Sequence, residues 1–347
     1  MSYPGATVSG MTTHSFVPPY VLERASTSDA LIGRVALQTL TVDQLLRTPD
    51  RRLQVSAARP GLEREIGDAA GSEQLPGRSV RSEGAPATGD AATDEAYDGL
   101  GATYRYYREV HDRDSLDGSG GPLLATVHYG RDYDNAFFNG ERMVFGDGDG
   151  SLFIRFTLGV DVIGHELTHG VTDDEANLPY RDQQGALNES MSDVFGSLVK
   201  QHAKQQSVTE ADWLIGDQII GPGFPGRALR SMAAPGTAYD GAPLGKDPQP
   251  AHLRDYVHTS DDNGGVHINS GIPNKAFYEA AVALGGYAWD AAGPIWYHSL
   301  LDPELDRAPD FAAFAAVTLR IARELPDGTR LRAAVATAWE GVGVPLP

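Results

Sequence analysis

The chain contains no cysteine. That excludes disulfides, thiolate metal sites, a catalytic thiol and any cysteine-based latency device. A metal site in this sequence must therefore use His, Asp or Glu, a ligand set found at catalytic rather than structural ions. Long apolar runs are also missing, because the most apolar stretches are short or alanine-rich, and no transmembrane segment is expected. No Lys or Arg precedes Arg24, and no apolar run of secretory length lies there. No Sec-type leader is therefore expected, and the reading is a cytoplasmic protein or one exported by a leaderless route. Positive charge is scarce, with 28 basic against 47 acidic side chains and a net charge of −19. A surface of that sign repels a phosphate backbone, so no nucleic-acid partner is expected, and the surplus acidity serves mainly solubility.

What remains is 347 residues, 41% hydrophobic and 22% charged, enough to bury a full core in one large or two ordinary domains. The first fifty-odd residues carry "FVPPYVLERA" and a helical pattern in "DALIGRVALQTLTVDQLLR". A Gly-, Ala- and Asp-rich stretch follows and turns helical, with tyrosines on one side. From Leu123 to Arg155, short alternating runs ("LLATVHYG", "NAFFNG", "RMVFG", "SLFIRF") separated by Gly, Asp and Asn read as strands and hairpins. "FGDGDGS" is read as a glycine-rich turn rather than a calcium loop, since position twelve, counting Asp147 as the first, is Leu158 and not a glutamate. Beyond Thr157 helical periodicity takes over, broken by Gly/Pro-rich loops, and the tail reads as two packed helices.

The chemistry is concentrated in "DVIGHELTHGV". His165 and His169 are four residues apart, so on a helix both imidazoles reach one ion, while Glu166 is turned away and can hold a water beside it. Glu189 follows His169 after nineteen intervening residues, in "GALNESMSDVFGSLV", which has its own apolar stripe and carries Glu189 and Asp193 on one face. Glu189 completes a two-His, one-Glu zinc site with an open fourth position, and Asp193 can accept the second ring proton of a ligating histidine. A third stretch, "DDNGGVHINSG", places His267 five residues after Asp262, where a carboxylate can hold the imidazole protonated to stabilise an oxyanion.

Together "VIGHELTHGV", "GALNESMSDVFG", "DNGGVHINSGI", "NAFFNG" and "FGDGDG" resemble, in order and spacing, the thermolysin-like zinc metalloproteases among the gluzincins. The resemblance covers the chain from about Arg81 onward. It implies an α+β two-lobe fold, β-rich at the N-terminal side and mostly α-helical at the C-terminal side, with the zinc site in the cleft between. Residues 56–163 and 164–347 would be the two lobes. It also implies a neutral endopeptidase acting on peptides and proteins, monomeric, without a membrane partner.

Carried over by position, His165, His169 and Glu189 would bind zinc, with Asp193 behind them. Glu166 would be the base acting on the metal-held water, and His267, Tyr180 and the orienting Asp262 would serve the oxyanion. Asn135 and the backbone of Ala136 would hold substrate as an added strand, and Arg230 would grip a substrate carbonyl. Phe153, Phe156, Val162 and Leu229 would line an apolar pocket that favours cleavage on the amino side of a bulky residue such as Leu or Phe. Two departures stand out. Lys200 and Leu214 occupy places where carboxylates of a paired calcium site are expected, so that site is expected to be lost. Residues 1–55, with Pro18, Pro19 and Tyr20, are similar to the short prosegment of the protealysin-like subgroup. They would act as an intramolecular inhibitor until the precursor processes itself.

Overall fold

The computed structural model describes residues 14–28, 31–46, 61–176, 178–305 and 309–347. The expected prosegment boundary after residue 55 lies outside the described residues. Among them no helix is long and apolar enough to cross a membrane.

The N-terminal arm begins with a two-residue strand, β1 (His14–Ser15), followed by helices α1 (Pro19–Ser26) and α2 (Ile32–Leu46). Pro18 caps α1 in an extended conformation and Pro19 takes its first turn. A fixed φ suits that turn, whose N–H groups lack partners in any helix. The proline pair thus starts a helix.

Strands β2 (Arg64–Asp68), β3 (Arg78–Ser82), β4 (Leu123–Val127), β5 (Ala136–Phe138) and β6 (Arg142–Phe145) follow, with helix α3 (Ala91–His111) between β3 and β4. With β1 they form a six-stranded mixed sheet in the order β1-β5-β6-β4-β2-β3. β2, β4 and β6 run parallel to their neighbours in that series, whereas β5 is antiparallel to β6 and β1 is antiparallel to β5. The arm therefore supplies one edge of the sheet.

The expected strand in "SLFIRF" does not form. Asp149 Oδ1 accepts the N–H groups of Ser151, Leu152 and Phe153 at 2.7, 2.8 and 3.2 Å, folding "GDGDG" into a side-chain-capped turn. What is left is a single bridge, Phe153 to Ile220, and a 3-10 turn at Phe156–Leu158.

His128 ends β4 with φ at 54° and joins two pieces of this region. Its Nδ1 lies 2.8 Å from Asp147 Oδ2 and its Nε2 3.2 Å from Asp90 Oδ1, the residue that caps α3. The hydrogen bond to Asp147 outweighs partial burial, and with the second carboxylate it raises the His128 pKa to about 9. A raised histidine stabilises the fold fully below its unfolded pKa of about 6.5, and this contribution fades as pH rises toward about 9. The His128 side chain is 27% exposed and its two carboxylate partners nearly half exposed, so solvent screening reduces the effect to about 1 kcal/mol. Urea titrations at pH 6 and pH 9 should show the parent losing that much more stability than His128→Gln.

The rest is helical: α4 (Val160–Glu175), α5 (Asp182–Lys204), α6 (Asp262–Asn269), α7 (Gly271–Leu284), α8 (Ala292–Leu300), α9 (Phe311–Glu324) and α10 (Gly328–Gly341). Four short strands form two antiparallel pairs, β7 (Leu214–Ile215) with β8 (Arg230–Ser231) and β9 (Asp240–Gly241) with β10 (Gly245–Lys246). α4 begins at Val160, so this helix spans the expected lobe boundary at 163/164.

α4 and α5 form the most extensive helix contact. A Cβ on Gly196 would stand 2.5 Å from the Asp161 carbonyl oxygen, and one on Gly164 only 3.1 Å from Gly196 Cα. Only glycine permits backbones this close, and the crossing brings the polar faces of both helices together. α5 is buried from Gly185 to Gln201, polar residues included; Asn188, Ser192 and Asp193 find partners inside, while Ser190 Oγ and Glu189 Oε2 have no hydrogen bond.

Candidate active site

His165 and His169 project from successive turns of α4, with their Nε2 atoms 3.2 Å apart. Glu189 on α5 faces both: Oε2 is 3.5 Å from His165 Nε2 and Oε1 is 3.5 Å from His169 Nε2. A tetrahedral zinc with bonds of about 2.0–2.1 Å has ligand atoms about 3.3–3.4 Å from one another. The three donors therefore have the spacing the ion needs. Their chemistry fits as well, because each far ring nitrogen already has an acceptor. His165 Nδ1 is 2.9 Å from Asp193 Oδ1, and His169 Nδ1 is 2.7 Å from Asn188 Oδ1, with Ser192 Oγ at 3.1 Å. These contacts turn both Nε2 lone pairs toward one point. Glu189 Oε2 is buried without a hydrogen-bond partner, as expected of an atom made to coordinate.

Glu166 is the other carboxylate here and forms a close group with the two histidines. Its Oε2 accepts the Phe138 N–H at 3.0 Å, which ties it to β5, while Oε1 is buried and without a hydrogen-bond partner. Burial and the adjacent Glu189 both raise its pKa well above the usual carboxylate range. A carboxyl so placed is suited to accepting and returning a proton.

Asp193 is fully buried and accepts four hydrogen bonds. Besides His165 Nδ1, they come from Arg230 Nε and Nη2 and from Asn274 Nδ2, each at 2.8 Å. Burial raises its pKa, but the Arg230 charge and the His165 hydrogen bond outweigh this and hold it well below the carboxylate range. The Arg230 guanidinium is thus fixed on two sides, with Nη1 left to donate to the Phe16 carbonyl at 3.4 Å.

His267 is oriented by backbone as much as by side chains. Asn263, Gly264 and Gly265 have φ values of 50°, 88° and 76°, a left-handed run that needs the glycines and turns α6 back on itself. Asp262 then grips His267 twice, through Nδ1 at 2.6 Å and the backbone N–H at 2.9 Å. Burial pulls the His267 pKa down, but Asp262 and Glu189 outweigh it, and the net shift is upward. Tyr180 donates its hydroxyl to Glu189 Oε1 and lies 3.2 Å from His267 Nε2. Both donors thus lean on the corner held by Glu189 Oε1, itself 3.4 Å from His267 Nε2.

The arm lies across this centre. The Phe16 N–H donates to the Ala136 carbonyl at 3.0 Å, and the Val17 N–H donates to Asn135 Oδ1 at 2.8 Å. Asn135 Nδ2 donates back to the Val17 carbonyl at 3.3 Å and to Asp43 Oδ2 of α2 at 2.9 Å. The Phe16 ring packs edge-on against His165 at 5.1 Å and under the Arg230 guanidinium at 4.9 Å. A Cβ on Gly216 would touch that ring and Leu229 Cδ1 at once, so Leu229 and Gly216 flank it. Phe153 and Phe156 form an aromatic pair at 5.6 Å, and Val162 is buried on α4. Pro18, Pro19 and Tyr20 stand one step further along, starting α1, with Tyr20 largely buried. The segment over the histidines is therefore Phe16–Val17, the first two residues of "FVPPYVLERA", and not the Pro18–Tyr20 step that follows it. Its signal was a Phe-Val step ahead of two prolines.

Away from the cleft, Lys200 Nζ is buried among acids. It lies 2.6 Å from Asp217 Oδ1, 3.0 Å from Asp212, 3.7 Å from Asp161 Oδ2 and 3.2 Å from the Leu214 carbonyl.

Residues 56–173 match the family model described as thermolysin metallopeptidase, catalytic domain, and residues 176–344 match the thermolysin metallopeptidase, alpha-helical domain. The chain is 51% identical to the Extracellular metalloprotease of Pectobacterium carotovorum subsp. carotovorum, over 95% of this chain and 96% of that protein. It is 43% identical to the Extracellular minor metalloprotease of Serratia marcescens, over 79% and 78% of the two. The solved structure of the precursor of protealysin from Serratia proteamaculans superposes with a TM-score of 0.89 at 52% identity, over 96% of this chain and all of that one. These names correct the expectation of a cytoplasmic or leaderless protein: the relatives are called extracellular and point to secretion. That expectation rested on finding no apolar run of secretory length before Arg24, an observation that does not report where a protein acts. With two-lobe α+β architecture and matches along nearly its whole length, the chain belongs to the thermolysin metallopeptidases, as a zinc metalloendopeptidase of the protealysin type made as a zymogen.

Proposed function

We propose that the chain is a precursor that frees itself from residues 1–55 and then cleaves peptide bonds on the amino side of bulky apolar residues. The catalytic unit would consist of lobes 56–163 and 164–347, acting as a monomer. His165, His169 and Glu189 hold zinc, and Asp193 keeps the His165 ring in place. Zinc bound there supplies a Lewis acid that acidifies water and polarises a carbonyl at neutral pH. Glu166 Oε1 takes the proton of the attacking water and passes it to the departing amine. His267 Nε2 and the Tyr180 hydroxyl donate to the carbonyl oxygen as charge develops, with Asp262 positioning the imidazole. Asn135 and the Ala136 carbonyl receive the substrate backbone as an added strand, and Arg230 Nη1 binds a carbonyl on the leaving side. Phe153, Phe156, Val162 and Leu229 form the walls that favour an apolar side chain. The arm inhibits by taking these same contacts first.

The observation that carries this reading is the spacing of two imidazole nitrogens and one carboxylate at tetrahedral-edge distances beside a buried, half-unpartnered Glu166. A peptide blocked at both ends, with Leu or Phe inside, should be cut by the processed enzyme, and the activity should vanish with a zinc chelator and return with zinc. An enzyme that cut only peptides with a free amino terminus would be an aminopeptidase, and the reading would be wrong.

We also propose that the paired calcium site is lost. Burial lowers the Lys200 pKa, but Asp161, Asp217 and Asp212 outweigh it, and the net shift is upward, so the ammonium is charged at every working pH. It supplies the positive charge that these carboxylates need. Millimolar calcium should leave the melting temperature unchanged, and only after Lys200→Glu should calcium raise it.

A further inference from the structure

We propose that the Ser15–Phe16 peptide bond is itself a cleavage site, cut by the same chain that carries it. This rests on the hydrolase reading above and goes beyond it by naming a bond.

The arm's seat is directional. β1 pairs antiparallel to β5 in the register His14 to Phe138 and Ser15 to Phe137, and the Phe16 and Val17 amides continue the ladder onto Ala136 and Asn135. Phe16 is the residue whose ring enters a recess between His165, Gly216, Leu229 and Arg230, and whose carbonyl meets Arg230 Nη1. The bond before Phe16 is therefore flanked by the Ala136 carbonyl, which fixes its nitrogen, and by the stretch of β5 that tethers Glu166 through Phe138. Ser15 is 5% exposed, so this bond is delivered into the buried part of the cleft and not past its rim. Hydrolysis there balances simply. The water oxygen bonds to the Ser15 carbonyl carbon, the bond to the Phe16 nitrogen breaks, and the products are a Ser15 carboxylate and a Phe16 ammonium.

Cutting this bond would not by itself open the cleft. On the Phe16 side the chain enters α1, where Tyr20, Val21, Leu22 and Ala25 are buried and Arg24 Nη1 donates to the Leu244 and Lys246 carbonyls at 3.0 Å. α2 adds Asp43 on Asn135 and Tyr133, and Thr39 Oγ1 accepts the Asp134 N–H at 3.1 Å. A nicked arm would stay bound as a product, so the nick precedes release.

The test follows the zinc-loaded full chain by intact mass and N-terminal sequencing, alongside the blocked peptide. A product beginning Phe-Val-Pro-Pro-Tyr should appear with a rate constant independent of protein concentration. Phe16→Ala should slow it by about 100-fold or more, since the recess loses most of its occupant. Hydrogen exchange on the zinc-free chain reads the seat without catalysis: the Phe16 and Val17 amides should be protected in the parent and exposed in Phe16→Ala. The proposal fails if the arm leaves with Ser15 and Phe16 still joined while the blocked peptide is hydrolysed, and the hydrolase reading then stands. It also fails if the cut depends on protein concentration or if the two amides exchange freely. If neither arm nor peptide is cut, both readings fall.

Discussion

Glu166→Gln, measured on enzyme freed of its arm, should lower kcat/KM for a blocked peptide by about 10³-fold or more, in the upper range for loss of a general base. Zinc should remain at one ion per chain, because the spacing of His165, His169 and Glu189 does not involve Glu166. The same change should raise the melting temperature of the zinc-free protein. In the parent, burial and Glu189 both work against an ionised Glu166, whose Oε1 has no hydrogen-bond partner. Gln, which never ionises, removes the cost of keeping a carboxyl protonated there above its unfolded pKa of about 4.3, so the site exchanges stability for chemistry. Full zinc content combined with undiminished hydrolysis would remove Glu166 from the mechanism.

Asp193→Ala should cost about 3–5 kcal/mol, because it leaves the Arg230 guanidinium buried without its counter-charge. It should also weaken zinc binding by about 10–100-fold, since His165 loses the acceptor that orients its ring. Asp193→Asn keeps the volume but removes the charge and turns one acceptor into a donor facing two N–H groups, so it separates the polar loss from the cavity. The pH dependence has a defined sign. Asp193 is held below the ordinary carboxylate range, so its contribution is present above the unfolded value of about 4 and is lost as pH falls into the acid region. Parent and Asp193→Asn should therefore converge in stability below pH 4. Urea titrations across that range decide it, and a loss below about 1 kcal/mol at pH 7, the size of an exposed pair, would contradict a buried ion pair at this position.

The parts of the site legible in the sequence are those set by local spacing. A four-residue step puts His165 and His169 on one face whatever the rest of the chain does, and the stripe around Glu189 fixes which side of α5 turns inward. Their mutual distance was not local, because it depends on two glycines, 164 and 196, meeting across helices. Asp262 and His267 were readable as a pair, but their convergence with Tyr180 on Glu189 Oε1 depends on a left-handed turn. "SLFIRF" has the alternation of a strand, yet Asp149 takes the N–H groups that a neighbouring strand would need. β2 and β3 escaped notice because their charged faces, "REIGD" and "RSVRS", hide the alternation. The arm's seat was hidden too: a strand of two residues, His14–Ser15, has no periodicity and exists only because β5 offers it an edge.

The central claim is a single zinc ion shared by α4 and α5, and the most direct measurement is the zinc anomalous signal in crystals of the loaded protein. The account predicts one peak about 2.0–2.2 Å from His165 Nε2, His169 Nε2 and the Glu189 carboxylate. A peak bound by Glu166 in place of Glu189, or one away from the two imidazoles, would contradict it.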